Sequence, residues 1–140
     1  MRKVTIQGII AVAAVSLIIS ACGGKYDDAI STNDEFVDAV ENYCRDMDKA
    51  DSADKVADAL NDFAASVEKL VPKMRAIAEK YPELKNPDQI PEELKESQAR
   101  AEEVSMKMAG QMIKAMKHMR DTGVREAQTR IQKALSSMGK

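Results

Sequence analysis

The chain of 140 residues has the length of a single domain, and its formal net charge of −2 shows no basic excess. Only 4% of its residues are aromatic and 31% are charged, a composition that favours a helical bundle over a β-sandwich or a β-barrel. Because nucleic-acid binding needs a concentrated basic face, this mixed surface argues against a nucleic-acid partner.

The N-terminus has the three-part pattern of an export signal. Residues 1–3 carry two positive side chains, and the apolar run at 8–19 is shorter than the roughly 20 residues of a membrane span. Residues 19–22 (Ile-Ser-Ala-Cys) resemble the lipobox of bacterial lipoproteins. The resemblance implies cleavage between Ala21 and Cys22, followed by lipidation of Cys22 with acyl chains such as palmitate and attachment to a membrane. The alternative is ordinary cleavage near Ala21, which leaves Cys22 as a free thiol.

The residue after the cysteine bears on the destination of the protein. In the enteric sorting rule an Asp at this position retains a lipoprotein at the inner membrane, and this chain has Gly23. The resemblance therefore implies an outer-membrane lipoprotein on the periplasmic side. Lipidation of Cys22 leaves Cys44 without a disulfide partner, and the apolar helix face around Cys44 favours a buried thiol over a redox or metal-binding one.

The chain after Cys22 is predicted to begin with a tether. Residues 23–32 are rich in Gly, Asp and Ser or Thr and show no apolar period. The sequence therefore divides into a signal peptide at 1–21, a lipidated cysteine with a flexible tether at 22–32, and a helical bundle domain at 33–140.

The first predicted helix begins near Thr32, whose spacing to Glu35 matches a capping box, and ends near Lys49. Its apolar residues are three and four positions apart and so form one face. They are Phe36, Val37, Val40, Tyr43, Cys44 and Met47.

The second predicted helix begins with Asp51 or Ser52 as its N-cap and has a seven-residue apolar repeat. Pro72 lies within this helix, but the repeat stays in register across it, so the sequence predicts a kink and not an end. The repeat positions are Val56, Leu60, Phe63, Val67, Leu70, Met74, Ile77 and Tyr81.

Residues 82–91 contain three of the four prolines and are predicted to form the one long loop. The third helix is predicted from Pro91 to a C-terminal stop at Gly123, and the fourth from Val124 to Met138. The short first and third connections make consecutive helices antiparallel. The expected fold is an all-α, up-down-up-down four-helix bundle with long second and third helices and shorter first and fourth helices.

Two junctions resemble those of the soluble cytochrome b562 family, namely residues 48–52, which lead into Val56, and residues 123–128. The resemblance implies a periplasmic four-helix bundle. That family holds haem iron with a Met early in the first helix and a His near the end of the fourth. The Met position falls at or next to Val37, and the His position falls just past Lys140, so the resemblance implies a haem-free relative.

The third helix carries methionines at helical spacing. Thioether sulfur is a soft ligand that suits Cu(I), so these residues and the one histidine form a candidate metal site. The alternatives are core packing, in which Met is a flexible filler, and an adaptable Met-lined binding face. Met106 and Met116 lie on a flanking stripe with Ala109 and Ile113. The candidate ligands are Met108, Met112, Met116, His118 and Met119.

The unequal helix lengths predict a partner surface. Both short helices are expected to cover the same half of the long hairpin, which leaves the other half without full cover. The alternative is that the loop folds back so that Leu84 and Ile90 fill the gap. The candidate partner-surface residues are Leu70, Met74, Ile77, Tyr81 and Leu94.

The sequence shows no catalytic set, because it has no nucleophile with a base and an orienting group and no Gly-rich phosphate loop. We therefore expect no enzyme activity and no cofactor beyond the covalent lipid; neither haem nor copper is expected. The expected function is binding, as a lipid-anchored periplasmic protein with an envelope protein as its partner. The alternatives are a copper or haem carrier and a chaperone-like or inhibitory lipoprotein.

Overall fold

The structure is a computed structural model that describes residues 24–86 and 90–137. The predictions for the signal peptide, the lipobox and Cys22 lie outside the described residues. Within them the chain forms four α-helices and no strand, which confirms the predicted all-α four-helix bundle. The helices are α1 (Asp27–Lys49), α2 (Ala53–Lys80), α3 (Glu92–Met116) and α4 (Thr122–Ser136), and a 3-10 helix at Pro82–Lys85 follows α2. None of these helices is long and apolar enough to cross a membrane.

Helix α1 begins at Asp27, earlier than the predicted start near Thr32. The expectation of an unstructured tether up to residue 32 is therefore wrong for residues 27–32. The physical reason is burial, because Tyr26 and Ala29 are only 6% and 8% exposed and extend the apolar face of α1 towards the N-terminus.

Helix α2 has the predicted start and passes through its proline. The Ser52 hydroxyl accepts a hydrogen bond from the backbone N–H of Lys55 at 3.4 Å, as an N-cap does. Pro72 lies on the exposed side of the helix, so the carbonyl of Glu68, which loses its helical donor there, is on the solvent side. The helix therefore continues to Lys80 without a break.

The connection between α3 and α4 differs from the prediction. Helix α3 ends at Met116, a turn follows at 117–120, and the Asp121 carboxylate caps α4 by accepting from the N–H of Val124 at 3.2 Å. Gly123 is thus in the first turn of α4 and not the stop of α3, and no described glycine has a positive φ. A Cβ at Gly123 would lie 3.4 Å from the Cβ of Ala57, so the two small residues bring α4 close to α2.

The order of the helices across the bundle is α3, α1, α2, α4. Extensive backbone contacts join α1 to α2, α1 to α3, and α2 to α4. The α1–α3 pair is parallel, as the ion pair between Asp34 and Arg100 at 2.9 Å near their N-terminal halves indicates. Helix α4 runs parallel to α2 and is joined to it by the ion pair between Glu68 and Arg130 at 2.6 Å. Among the described residues, α3 and α4 have no extensive backbone contact despite their short connection.

The interior consists of a large core and a small second cluster. The large core contains most of the predicted apolar positions of α1 and α2, together with Val104, Ala115, Val124, Ala127 and Ile131. The second cluster lies at the end of the bundle that holds the chain's first described residues and the 3-10 helix, which we call the lower end. Its buried members are Tyr26, Ala29 and Tyr81, with Ile77, Leu84 and Leu94 packed against them.

Candidate functional site

Two of the five predicted partner-surface residues are not on the surface. Leu70 and Tyr81 are each 4% exposed, so their assignment to a partner surface is corrected. Leu70 belongs to the large core, and Tyr81 is covered by Tyr26 from the N-terminal extension of α1. The sequence prediction treated Tyr26 as tether and therefore missed this cover.

The cover at the lower end is a pair of tyrosines held by ion pairs. The rings of Tyr26 and Tyr81 are tilted against each other with centroids 5.0 Å apart. The Tyr26 hydroxyl donates to Glu83 Oε1 at 3.0 Å, and the Tyr81 hydroxyl donates to Asp28 Oδ1 at 2.7 Å. Glu83 Oε1 also accepts a hydrogen bond from the Lys25 ammonium at 2.8 Å. Each tyrosine hydroxyl therefore donates to a carboxylate side chain.

The charges of this network favour the folded arrangement at neutral pH. The Lys25 ammonium lowers the pKa of Glu83 to about 2, and the Tyr26 hydroxyl adds to the effect. The Lys80 ammonium, at 2.5 Å, lowers the pKa of Asp28, and the Tyr81 hydroxyl contributes as well. Both carboxylates therefore stay ionised well below pH 7 and act as acceptors for the tyrosines.

The other three predicted partner-surface residues line two small clefts beside Leu84. Met74 and Ile77 line a cleft of about 180 Å³ between α1, α2 and the 3-10 helix. Leu94 lines a neighbouring cleft of about 270 Å³ together with Ile90. Leu84 borders both clefts and packs against the second cluster, so the described part of the loop at 82–86 covers part of this half of the hairpin, in agreement with the alternative interpretation for Leu84.

The predicted metal ligands are divided between the core and the solvent. Met108 and Met119 pack against the large core, whereas Met116 is 65% exposed. His118 and Met119 lie in the turn after α3, not on the predicted helix, while Met112 is half-buried on α3. The described residues contain no cluster of three His, Cys, Asp or Glu side chains that could hold a metal ion. Coordination by methionine stays a prediction.

Two buried polar groups lie in the core without an evident chemical role. Cys44 is half-buried against the large core, and burial raises the pKa of its thiol, so the thiol is protonated at neutral pH. Tyr43 is 3% exposed and stacks on Phe63 with centroids 5.0 Å apart. Its hydroxyl has no hydrogen-bond partner among the described residues, and burial raises its pKa to about 12. Neither group has the neighbours of a nucleophile or a base.

The outward face of α3 carries an exposed apolar stripe. Met106, Ile113 and Met116 are 71%, 63% and 65% exposed and are three of the four large exposed hydrophobic residues in the described part of the chain. Ala109 and Gly110 lie between them and are also exposed. We call these five residues the α3 stripe. The sequence analysis placed four of these residues, all but Gly110, on a flanking stripe, and the structure places the α3 stripe opposite the buried face that contains Val104.

The charge beside the α3 stripe is positive towards its C-terminal end, whereas Glu102 and Glu103 lie one turn before Met106. Residues 104–120 contain four Lys or Arg side chains and no Asp or Glu. Lys107 is paired with Glu103 at 2.8 Å, and the Lys114 ammonium donates to the carbonyl of Met47. Lys117 and Arg120 are exposed, and within the described ranges their side chains have no hydrogen bond or ion pair. Two unpaired cations thus border the end of the stripe.

Comparisons of this chain with protein-family models, with curated proteins and with solved structures found no match.

Proposed function

We propose that this protein is a lipid-anchored envelope protein that acts by binding another protein through the α3 stripe. The observation that carries the proposal is the exposure of three large apolar side chains on one helix face. Large contiguous apolar patches on a soluble protein commonly mark an interaction site. Methionine suits such a face, because its flexible thioether side chain adapts to the shape of a partner.

The packing of α3 supports this assignment. Helix α1 is the one helix in extensive backbone contact with α3, so most of the perimeter of α3 faces solvent in the described structure. Only Ser97, Val104 and Ala115 of its 25 residues are buried. One side of α3 packs against the bundle and the opposite side is apolar and exposed, so a second protein could pack against that exposed side.

The proposed anchor limits how far the bundle can lie from the membrane. If Cys22 carries lipid, residues 23–26 alone separate it from α1, and four residues span at most about 14 Å. The lower end of the bundle then lies near the membrane. The stripe begins at Met106, 14 residues beyond Glu92, which is about 21 Å along α3 at 1.5 Å per residue. If the bundle stands upright on this anchor, the stripe lies above the membrane surface and is accessible to a partner protein.

Site-specific photocrosslinking in cells of the source organism tests the binding function. A photoreactive amino acid at Ile113 is expected to give a discrete crosslinked species of higher mass. The same amino acid at Gln132, an exposed position on α4, serves as the matched control. Equal crosslinking at both positions, or none at Ile113 while the protein is folded and abundant, contradicts the proposal.

The anchor is tested separately. The full chain is expected to incorporate a palmitate analogue and to sediment with membranes. Cys22→Ala is expected to remove both properties, while Cys44→Ala, as the control at the other cysteine, leaves them unchanged. Label retained in Cys22→Ala would show that the lipobox interpretation is wrong.

No described contact favours the alternative functions. A copper or haem carrier predicts tight Cu(I) binding in a competition titration, or a Soret shift with added hemin. A chaperone-like lipoprotein predicts suppression of client aggregation. Either activity is independent of the α3 stripe if the variant Ile113→Glu retains it.

A further inference from the structure

The α3 stripe has the dimensions of a docking site for one helix. Its apolar residues follow the spacing i, i+3, i+4, i+7 and i+10, by which one helix presents a single face to another. The stripe spans about 15 Å, or nearly three helical turns. Apart from the adjoining residues and the backbone of α3 itself, no atom lies within 4 Å of the position that a Cβ of Gly110 would occupy. The centre of the stripe is therefore open, and no side chain of the described structure blocks the approach of a partner helix there.

The charge around the stripe specifies the chemistry of that helix. Glu102 and Glu103 lie one turn before Met106, whereas residues 104–120 have four cationic side chains and no carboxylate, so the C-terminal end of the stripe is the positive one. Lys107 already has a partner in Glu103, but Lys117 and Arg120 have none among the described residues. A bound helix with carboxylates beside its apolar face would pair with these two cations, whereas a basic helix would be repelled.

We propose that the α3 stripe binds an amphipathic helix of a partner protein whose apolar face is bordered by Asp or Glu. This proposal rests on the proposed binding function and names the chemistry of the partner. The recognition is hydrophobic at Met106, Ile113 and Met116, and electrostatic at Lys117 and Arg120.

A second copy of the chain fits this face less well. Two copies anchored in one membrane through the short segment before α1 stand in the same direction. Their α3 helices then run the same way, so that Lys117 of each faces the like charge of the other. Pairing of Lys117 with Glu102 or Glu103 of a second copy needs an antiparallel arrangement, in which one copy is inverted relative to its anchor.

A membrane surface fits less well for a geometric reason. The stripe begins about 21 Å along α3 from the lower end, and an upright bundle holds it away from the lipid headgroups. A protein helix is therefore the occupant that fits this face best, and the experiment below distinguishes it from a membrane and from a second copy.

The test uses the full chain, purified from membranes and placed in nanodiscs of zwitterionic lipid. The probes are two fluorescein-labelled synthetic amphipathic helices with the same Leu and Ala face, one bordered by Glu and the other by Lys. Fluorescence anisotropy measures both dissociation constants. The acidic peptide is expected to bind about tenfold more tightly, because two or three exposed ion pairs add that much.

Two variants separate the apolar and the charged contributions. Ile113→Glu is expected to weaken binding of the acidic peptide by at least about tenfold, because it places a carboxylate within the stripe. The double variant Lys117→Glu with Arg120→Glu is expected to reverse the preference, so that the basic peptide binds more tightly. Gln132→Glu on α4 is the control that leaves both dissociation constants unchanged. Circular dichroism verifies that each variant is folded, which is expected because all four positions are exposed.

Equal binding of both peptides, or an unchanged preference in the double variant, overturns the proposal of an acidic partner helix. Binding to vesicles rich in phosphatidylglycerol that Ile113→Glu abolishes assigns the face to a lipid surface and also overturns it. A dimer in sedimentation that Ile113→Glu dissociates assigns the face to a second copy, with the same consequence. If both peptides bind equally, a crosslink at Ile113 in cells still supports the proposed binding function, so the two proposals can fail independently.

Discussion

Substitution of Tyr26 tests whether the chain before Thr32 is part of the folded bundle. The side chain of Tyr26 is 6% exposed, its ring contacts Tyr81 at 5.0 Å between centroids, and its hydroxyl donates to Glu83. Replacing a buried aromatic residue by Ala costs about 3–5 kcal/mol in a protein core. Because Tyr26 lies at one end of the bundle, where neighbours can partly collapse into the space, we expect about 3 kcal/mol for Tyr26→Ala.

The hydroxyl accounts for a smaller part of this free energy. Tyr26→Phe keeps the ring against Tyr81 and removes one hydrogen bond to the Glu83 carboxylate. Glu83 keeps its ion pair with Lys25 at 2.8 Å and is not left unpaired. We therefore expect Tyr26→Phe to cost about 1 kcal/mol. The order of the two variants distinguishes burial of the ring from the polar network.

Urea unfolding followed by far-ultraviolet circular dichroism measures both costs. The chain from residue 22 with Cys22→Ser avoids the lipid and serves as the reference. A slope of about 2 kcal/mol per molar urea, typical of a domain of this size, converts 3 kcal/mol into a midpoint shift of about 1.5 M. Ser31→Ala on the exposed side of α1 is the control and is expected to change stability by less than about 0.5 kcal/mol. A similarly small change for Tyr26→Ala would refute the structure of the lower end and restore the tether that the sequence pattern indicated.

Four further predictions concern single positions. Asp121→Ala removes the N-cap of α4 and is expected to lower the free energy of unfolding of the protein by about 1 kcal/mol, measured by urea unfolding. The control Thr122→Ala, at the exposed neighbouring position, is expected to have little effect. Gly110→Ala is expected to raise the melting temperature, with a gain of about 0.5–1 kcal/mol, because the site is helical, has no positive φ and has open space for a Cβ. Tyr43→Phe is expected to be neutral or stabilising, because it removes a buried hydroxyl without a partner, and a loss above about 1 kcal/mol would show that the hydroxyl is bonded. The pKa of Glu83 falls from 4.5 to about 2 on folding, so the stabilisation from its ionised carboxylate is complete above pH 4.5 and is lost as the pH falls towards 2. The difference in melting temperature between wild type and Glu83→Gln is therefore expected to disappear between pH 4.5 and pH 2.

The parts of the fold that the sequence predicted correctly are those with strong local periodicity. The seven-residue repeat of α2 continues from Val56 through Leu60 and Val67, and all three side chains are at most 3% exposed. A repeat of this length leaves one helical face for the core whatever the neighbouring helices are. Residue type and position likewise indicated Asp51 or Ser52 as the N-cap of α2, and the structure shows that Ser52 is the one that caps it.

The start of α1 could not be inferred from local composition, because its cause is distant in sequence. Gly24 and the neighbouring Asp and Ser residues are typical of a loop, and the burial that orders Tyr26 comes from Tyr81, which is 55 residues further along the chain. Helix boundaries that depend on such contacts follow tertiary structure and not propensity. By contrast, the boundary at Gly123 had a local signal, since Asp121 stands three residues before Val124 in the spacing of an N-cap.

The pairing of helices explains why α3 is apolar on two opposite sides. Connections restrict only sequential neighbours, so the extensive contacts of α1 with α3 and of α2 with α4 were not predictable from the loops. The inward side of α3, with Val104 and Met108, is accounted for by α1 and the shared core. The outward side, with Met106 and Ile113, has no neighbour within the described structure, although exposing it costs the free energy of hydrating apolar surface. The partner helix proposed above would cover this outward side of α3 and remove that cost.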